Sequence, residues 1–287
     1  MKECYCCGYN KFKETYKLTF SIRQCVNCGL EYAEGIRVSN SFISDMDENE
    51  RIKALRSLRI LNSEIIIKEM RNLFGNEESK NGLDVGCAQG WFLEVANRAG
   101  YNTEGIEPDS ATIKKINGEY NIYIGYFPKD MPPNKKYDFI IFNDVFEHIP
   151  DSTELLKGCS KLLSDNGFLI INIPMRSGFF SKLGRLLYAC GKREFLNRLW
   201  QFNFHSPHLY YYNRDNLIKI VEKNNFSFIK YRRLKTIDFH GIQARIAMDK
   251  KNGKVKQIAI TLILMIMYPF IEYIMPPDIG LFVFKKN

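Results

Sequence analysis

The sequence contains no apolar stretch at its start, no long apolar run and few histidines. Residues 1–8 contain no apolar stretch, so we expect no secretory signal. The longest nearly apolar run covers the fourteen residues 258–271. A spanning helix needs about 20 such residues, so we do not expect a transmembrane segment. Only four histidines occur in 287 residues, which leaves few candidates for a catalytic base.

Acidic residues are in the minority. The chain has 41 Lys and Arg against 32 Asp and Glu, for a net charge of +9. This balance is compatible with binding to nucleic acid, to an anionic membrane or to an anionic substrate, and it does not choose among them. The composition is 45% hydrophobic and 25% charged, which is ordinary for a globular protein of one or two domains.

Cysteines are concentrated at the amino terminus, where five of the eight lie within the first 28 residues. Cys4, Cys7, Cys25 and Cys28 form two C-x-x-C pairs with 17 residues between them, a spacing typical of a zinc site. Four thiolates would close a tetrahedral site, so the zinc would be structural. We therefore predict a zinc-ribbon-like unit over residues 1–34, folded with the free energy of metal binding. Two redox dithiols or unbound cysteines are the alternatives.

The rest of the chain divides by its pattern. Residues 35–79 predict a polar linker and then a helix. One face of that helix would carry Ile52, Leu55, Leu58, Leu61, Ile65 and Leu73. Strands and helices alternate over residues 82–174, which predicts a parallel sheet within a domain spanning residues 80–287.

Two segments stand apart from this alternation. The aromatic and basic insertion at 175–212 is predicted to form a lid or substrate wall over the carboxyl ends of the strands. The run at 258–271 is predicted to be either a buried helix or an interfacial one. The interfacial reading rests on the lysines that precede the run, which are Lys250, Lys251, Lys254 and Lys256.

Residues 83–90 predict a buried strand, a tight loop of small residues and the start of a helix. Glu107 follows Asp84 by 23 residues and ends the next strand, where it can accept hydrogen bonds from a ribose diol. The dinucleotide pattern G-x-G-x-x-G is not met, because Ala88 and Trp91 occupy two glycine positions. The loop suits S-adenosylmethionine instead, which carries a ribose but no phosphate.

Four stretches carry a family resemblance. Residues 83–90 resemble motif I of class I S-adenosylmethionine-dependent methyltransferases. Residues 144–151 resemble the "D-V-L-E-H-V-P-D" motif of the subgroup that includes ubiquinone-biosynthesis O-methyltransferases and many polysaccharide-cluster methyltransferases. Residues 162–174 and 208–217 are similar to later segments of the same subgroup, in the same order. The resemblance implies an α/β, Rossmann-like fold: a mostly parallel seven-stranded sheet with helices on both faces and an antiparallel last strand.

The loop pattern and the resemblance together imply a cofactor site. Its predicted members are Asp84, Gly86, Cys87, Ala88, Gly90, Glu107, Pro108, Asn143 and Asp144. Many relatives bind adenine through an acid after the third strand, but residues 125–129 contain none, so we assign no side chain to that contact.

The candidate catalytic residues are His148, His205 and His208. His148 follows the fourth strand beside the expected sulfonium, and a histidine titrates near neutral pH. Alternatively, it packs the following helix. The other two histidines either line the acceptor site or hydrogen-bond the insertion to the core. Asp144, Glu147 and His148 could also gather a divalent ion.

The expected function is S-adenosylmethionine-dependent methylation, with oxygen the favoured acceptor atom, of a small molecule, glycan or lipid-linked compound. An RNA methyltransferase that uses the zinc unit to bind nucleic acid is one alternative. A non-catalytic scaffold is the other. Dispersed basic residues argue against RNA, and the intact loop and Glu107 argue against a scaffold. We expect a cytoplasmic location, with peripheral contact to the cytoplasmic membrane face as a variant of it.

Overall fold

The computed structural model describes residues 3–36, 48–75, 79–116, 118–202, 206–247 and 253–287. In chain order the elements are β1 Phe12–Lys17, β2 Ser21–Cys25, β3 Glu31–Glu34, α1 Glu48–Phe74, β4 Asn81–Val85, α2 Trp91–Arg98, β5 Asn102–Glu107, α3 Ser110–Ile113, β6 Ile122–Ile124, β7 Tyr137–Asn143, α4 Ser152–Leu162, β8 Leu163–Pro174, α5 Phe179–Ala189, α6 Glu194–Leu199, β9 Tyr210–Tyr211, α7 Arg214–Glu222, β10 Phe226–Arg233, α8 Ile242–Ala247, α9 Lys254–Tyr273 and β11 Ile279–Lys286. A single 3₁₀ turn covers Phe146–His148 between β7 and α4.

The larger sheet has seven strands in the order β10-β11-β8-β7-β4-β5-β6. All neighbouring strands from β8 to β6 run parallel, whereas β11 runs antiparallel to both β8 and β10. The predicted fold is therefore confirmed. The chain moves outward from β4 to β5 and β6 and then returns to place β7 on the other side of β4. Ligands of open α/β sheets bind at such a reversal point, beyond the carboxyl ends of the strands.

The centre of this sheet is apolar on both faces because helices cover both. Phe139, Ile140, Ile141 and Phe142 in β7 are completely buried, which explains why this strand is an unbroken apolar run rather than an alternating one. Asp151 begins α4, and its side chain accepts hydrogen bonds from the backbone of Thr153 and Glu154.

Helix α1 forms as predicted, and the predicted apolar face is partly correct. Of that set, Leu58 is buried and Ile65 packs half-buried against the core, whereas Leu55, Leu61 and Leu73 are half-exposed. The fully buried face also includes Ala54, Ile66, Ile67 and Met70. The two stripes overlap along the helix, and the packing of α2 decided which of them turned inward. The Ile52 side chain and residues 37–47 of the linker predicted for 35–50 lie outside the described part of the chain.

The amino-terminal strands share a second sheet with the insertion. Strands β1, β2 and β3 are antiparallel, and β9 adds to β3 by pairing Glu31 with Tyr211 and Tyr32 with Tyr210. Tyr16 and Ile22 of these strands also form an apolar cluster with Trp200 and Phe202 of the insertion. Part of the aromatic content of 175–212 therefore forms the surface on which the cysteine-bearing unit rests.

A buried ion pair joins the same two regions. The Glu31 side chain is 3% exposed, and its Oε1 lies 2.8 Å from Nε of Arg176, which follows β8. Burial raises the pKa of Glu31, and the Arg176 charge opposes that rise. Removing one member of such a pair leaves the other charge in a poorly solvated place.

We expect Glu31→Gln to lower the free energy of unfolding by about 3 kcal/mol, because Arg176 would keep its charge without its partner. Urea denaturation followed by circular dichroism measures this change. The control is Glu34→Gln, which breaks the exposed pair with Arg23 and should cost less than about 1 kcal/mol. Equal losses of unfolding free energy in the two variants would show that the Glu31–Arg176 pair stabilises the protein no more than an exposed ion pair does.

Candidate functional site

The loop between β4 and α2 turns tightly. The backbone is left-handed at Gly86, Ala88 and Gly90, with φ angles of 70°, 44° and 71°. Gly86 has a second constraint, since a Cβ there would lie 2.7 Å from Cγ2 of Val145. The loop is therefore packed directly against the turn that follows β7. Its backbone is also held to β5, because the Gly86 amide donates to the Ile106 carbonyl at 2.8 Å.

Glu107 stands at the end of β5 beside this loop. Its Oε2 accepts a hydrogen bond from the Ala88 amide at 3.1 Å, and its Oε1 accepts one from the Asp109 amide at 3.0 Å. Each carboxylate oxygen can accept more than one hydrogen bond, so these contacts orient the group without exhausting it. Pro108 follows it and is exposed. The arrangement fits a ligand with two neighbouring hydroxyls, as predicted for a ribose.

Asp84 and Asn143 complete the cluster at the ends of β4 and β7. Asp84 is 2% exposed, and Asn143 Nδ2 donates to its Oδ1 at 3.5 Å. Burial raises the pKa of Asp84 to about 8, and the nearby Glu107 charge adds to the rise. A cationic ligand group would return this carboxyl to its ionised form. The Cys87 side chain is buried against Gly105 of β5, so Cys87 contributes only its backbone to the surface of the loop.

Asp144, which was predicted to line the cofactor site or to help bind a divalent ion, forms an ion pair with Arg59. Its φ is 52°, and its carboxylate contacts the guanidinium of Arg59 on α1. Nothing in the sequence near Arg59 indicated this role, because α1 precedes the four methyltransferase-like stretches and meets the end of β7 only in the folded chain. Arg59 also supplies positive charge near the turn that follows, where it opposes the rise in the pKa of Glu147.

Glu147 and His148 lie in the Phe146–His148 turn, and His208 lies beside them. Glu147 Oε1 lies 4.0 Å from Nε2 of His148 and 3.8 Å from Nε2 of His208. His148 Nδ1 lies 2.8 Å from the carbonyl oxygen of Pro207. A carbonyl only accepts, so Nδ1 carries the hydrogen, and Nε2 is the basic atom of the neutral ring.

Two members of this cluster are deeply buried. Glu147 is 1% exposed and His208 is 3% exposed. Burial raises the pKa of Glu147 to about 8, and burial lowers the pKa of His208 well below its ordinary value. Within the described residues, no side-chain atom of either residue has a hydrogen-bond partner. The three possible ligand atoms of Glu147, His148 and His208 lie within 4.8 Å of one another, and these ligand types suit a divalent cation.

The composition of this cluster differs from the set named from the sequence. Asp144 is paired with Arg59, and His208 takes its place beside Glu147 and His148. His208 reaches the cluster because the Leu209 amide donates to the Glu147 carbonyl at 2.9 Å, which holds the end of the insertion against the turn. Spacing in the sequence could not show this contact across about 60 residues. His205 lies outside the described residues.

The four predicted cysteine ligands converge. Cys4 Sγ lies 3.5 Å from Cys28 Sγ, Cys7 Sγ lies 3.6 Å from Cys25 Sγ, and all four sulfurs lie within 4.8 Å of one another. Zn–S bonds of about 2.3 Å in a tetrahedron place the sulfurs about 3.8 Å apart. The cluster therefore fits one zinc ion. Cys6 is not one of these four sulfurs, because its thiol donates to the Asn216 carbonyl at 3.5 Å, although it also contacts Cys28.

We expect one zinc per chain in protein purified without chelator, measured by elemental analysis. Cys25→Ser should lower the zinc content, because three thiolates no longer close the site. Cys6→Ser is the matched control and should leave the zinc content unchanged. A metal-free wild-type protein, or loss of metal with Cys6→Ser alone, would contradict this assignment.

Comparison with known proteins gives a consistent result. A family model described as a methyltransferase domain matches residues 58–231. The ubiquinone biosynthesis O-methyltransferase of Actinobacillus pleuropneumoniae serotype 7 (strain AP76) is 30% identical over 155 residues, which cover 50% of this chain and 61% of that protein. The enzyme of the same name from Pelagibacter ubique (strain HTCC1062) is 28% identical over 199 residues, covering 64% of this chain and 79% of that protein. The chain thus spans less than two thirds of the Actinobacillus relative's length.

Solved structures agree on the fold. Magnesium protoporphyrin IX methyltransferase from Synechocystis PCC 6803 with bound SAH has a TM-score of 0.51 at 13% identity, covering 82% of this chain and 86% of that chain. The plantazolicin methyltransferase in complex with SAH has a TM-score of 0.52 at 18% identity, covering 84% and 88%. The family model covers more than half of the chain. This chain therefore belongs to the methyltransferase domain family, and the resemblance to S-adenosylmethionine-dependent methyltransferases predicted from its motifs is confirmed.

Proposed function

We propose that this chain transfers a methyl group from S-adenosylmethionine to a hydroxyl of a small-molecule, glycan or lipid-linked acceptor. The observation that carries the proposal is the meeting of the left-handed 86–90 loop with the oriented Glu107 carboxylate at the reversal point of the sheet. The similarity to ubiquinone biosynthesis O-methyltransferases supports oxygen as the acceptor atom.

The residues present fit the cofactor. When bound, S-adenosylmethionine supplies an activated methyl on its sulfonium. Glu107 would accept hydrogen bonds from the ribose, next to the backbone of Gly86, Cys87, Ala88 and Gly90. Asp84 lies at the same edge and would face the cationic amino acid end, where a positive charge would compensate its burial. Pro108, Asn143 and Asp144 would line the remainder of this site.

Methyl transfer to a hydroxyl also needs a group that receives the released proton. The cofactor would supply the methyl to the acceptor oxygen and would keep the electron pair of the broken S–C bond, which leaves the hydroxyl proton for the protein to accept. His148 is connected to the cofactor loop through Val145, since the His148 amide donates to the Val145 carbonyl at 2.9 Å and Val145 packs on Gly86. His148 would accept the proton at Nε2, and the positive charge that results would favour the ionised form of the neighbouring Glu147. His208 would position the pair.

We expect Glu107→Ala to weaken S-adenosylmethionine binding by about 1.5–3 kcal/mol, because hydrogen bonds to a charged group are lost. Isothermal calorimetry measures the change. The control is Glu94→Ala on α2, an acid that pairs with Arg56 at the surface and should leave the affinity unchanged. Unchanged affinity in a folded Glu107→Ala protein would overturn the cofactor assignment.

We expect His148→Gln to lower turnover by about 10²–10⁴-fold, the usual range for loss of a general base, while cofactor affinity is retained. Turnover is measured as S-adenosylhomocysteine release with a panel of quinone precursors, glycans, nucleotide sugars and RNA. His240→Gln, which changes an exposed histidine, is the control. Full turnover by His148→Gln would remove His148 from the mechanism. Methylation of RNA alone would replace the proposed acceptor class.

A further inference from the structure

Helix α9 presents an apolar face to solvent. The exposed side chains recur every three or four residues, so they form one stripe along the helix. The members of the stripe are Val255, Ile258, Ala259, Leu262, Ile263, Ile266, Pro269 and Tyr273. Val255 is 83% exposed and Ile266 is 76% exposed. A surface helix normally turns polar residues outward, whereas α9 turns apolar side chains outward as well as inward.

The other side of α9 already has its packing partners. Leu264, Met265, Met267, Tyr268 and Ile271 pack with the chain around α8 and with the start of α5, in a cluster that includes Ile237, Ile242, Phe179 and Phe180. The exposed stripe is therefore additional to the packing that holds the helix in place. It needs a partner outside the described residues.

A single membrane crossing by α9 conflicts with the fold. The helix is long and apolar enough by length and composition to span a membrane, and this is weak evidence taken alone. However, α9 connects β10 to β11, and those two strands are hydrogen-bonded neighbours in one sheet. A crossing would place them on opposite sides of the bilayer. The carboxyl end of α9 is also anchored, since buried Glu272 accepts hydrogen bonds from the Thr236 and Ile237 amides at 2.9 and 2.8 Å.

We propose that α9 lies in the interfacial plane of an anionic membrane, with its exposed stripe inserted among the acyl chains. Charge complementarity favours this partner. Lys254 and Lys256 are exposed where the helix begins, and Lys235 Nζ lies 4.5 Å from the centre of the Tyr273 ring at the other end. The one acid of the helix, Glu272, is buried, and its Oε2 lies 3.9 Å from Lys235 Nζ, so it offsets the charge of Lys235 and not that of Lys254 or Lys256. Lysine and tyrosine at the ends of an apolar stripe match the polar boundary of a bilayer.

The helix is also tied to the predicted acceptor region, a link that rests on the proposed function. Asp278, just beyond α9, accepts a hydrogen bond from the Phe180 amide at 2.7 Å through its side chain and one from the Met175 amide at 2.8 Å through its carbonyl. Met175 begins the insertion, and the far end of that insertion carries His208 into the catalytic cluster. A protein held to a membrane by α9 would meet an acceptor that has a lipid-linked or apolar portion.

Co-sedimentation with vesicles tests the proposal. The probes are vesicles of phosphatidylcholine alone and of phosphatidylcholine with phosphatidylglycerol, at low and high salt. The full chain should bind the anionic vesicles best at low salt, because salt screens the lysine contribution. The double substitution Leu262→Asn/Ile266→Asn should weaken binding by at least about tenfold. Ile229→Asn, at an exposed apolar residue on edge strand β10, is the control and should bind like the wild type.

Three outcomes would overturn the proposal: wild-type protein that ignores anionic vesicles at low salt, a double variant that binds as well as the wild type, or a vesicle-free dimer that the double substitution dissociates. The last would make the stripe a self-association surface. Cofactor binding by the double variant, measured by calorimetry, should equal that of the wild type and shows that the variant is folded. A wild-type chain that binds vesicles but not S-adenosylmethionine would refute the proposed function and leave the membrane assignment standing.

Discussion

The pairing of β7 with β4, after the chain has travelled outward through β5 and β6, is the constraint on which the candidate site depends. It brings the end of β7 beside the loop that follows β4, so that Val145 packs on Gly86. The same reversal places Glu107, on β5, against the other side of that loop. The predicted cofactor residues therefore meet through backbone pairing, and their side chains need few contacts of their own.

The cluster of Glu147, His148 and His208 is held in a different way. Glu147 and His208 are almost fully buried, and each is held by the backbone around it rather than by side-chain hydrogen bonds among the described residues. Burial favours the neutral form of both groups, which raises the pKa of the acid and lowers that of the base. A cation bound among these groups would favour the ionised form of the Glu147 carboxyl. This electrostatic cost is typical of a functional site rather than of a structural core.

The amino-terminal unit and the insertion are packed together through three kinds of contact. They share a sheet through β9, an aromatic cluster around Trp200 and the buried Glu31–Arg176 pair. The insertion is also tied to the Phe146–His148 turn at one end and to Asp278, beyond α9, at the other. A metal bound by the four cysteines would stabilise the segment that carries His208, although the two sites are separate in the sequence.

Local sequence determined the elements and the loop chemistry. The 83–90 pattern and the position of Glu107 were sufficient to predict that this loop and this carboxylate lie side by side, because strand order follows from alternating strands and helices together with a family resemblance. The cysteine spacing predicted the convergence of four sulfurs, since each C-x-x-C pair forms its own turn. The distance of Glu107 from Asp84 along the chain placed it at the tip of the neighbouring strand. These features depend on short-range geometry.

Tertiary structure decided everything that depends on which faces meet. The sequence placed only part of the buried face of α1, because two overlapping apolar stripes run along that helix and only the packing of α2 selects one. Arg59 and His208 were found beside Asp144 and Glu147 because distant segments fold together, and no periodicity records such contacts. The orientation of α9 was likewise open, since a uniformly apolar run has no polar face to mark its outside. The fold leaves Leu262 and Ile266 exposed because α5 and α8 cover the opposite side of the helix.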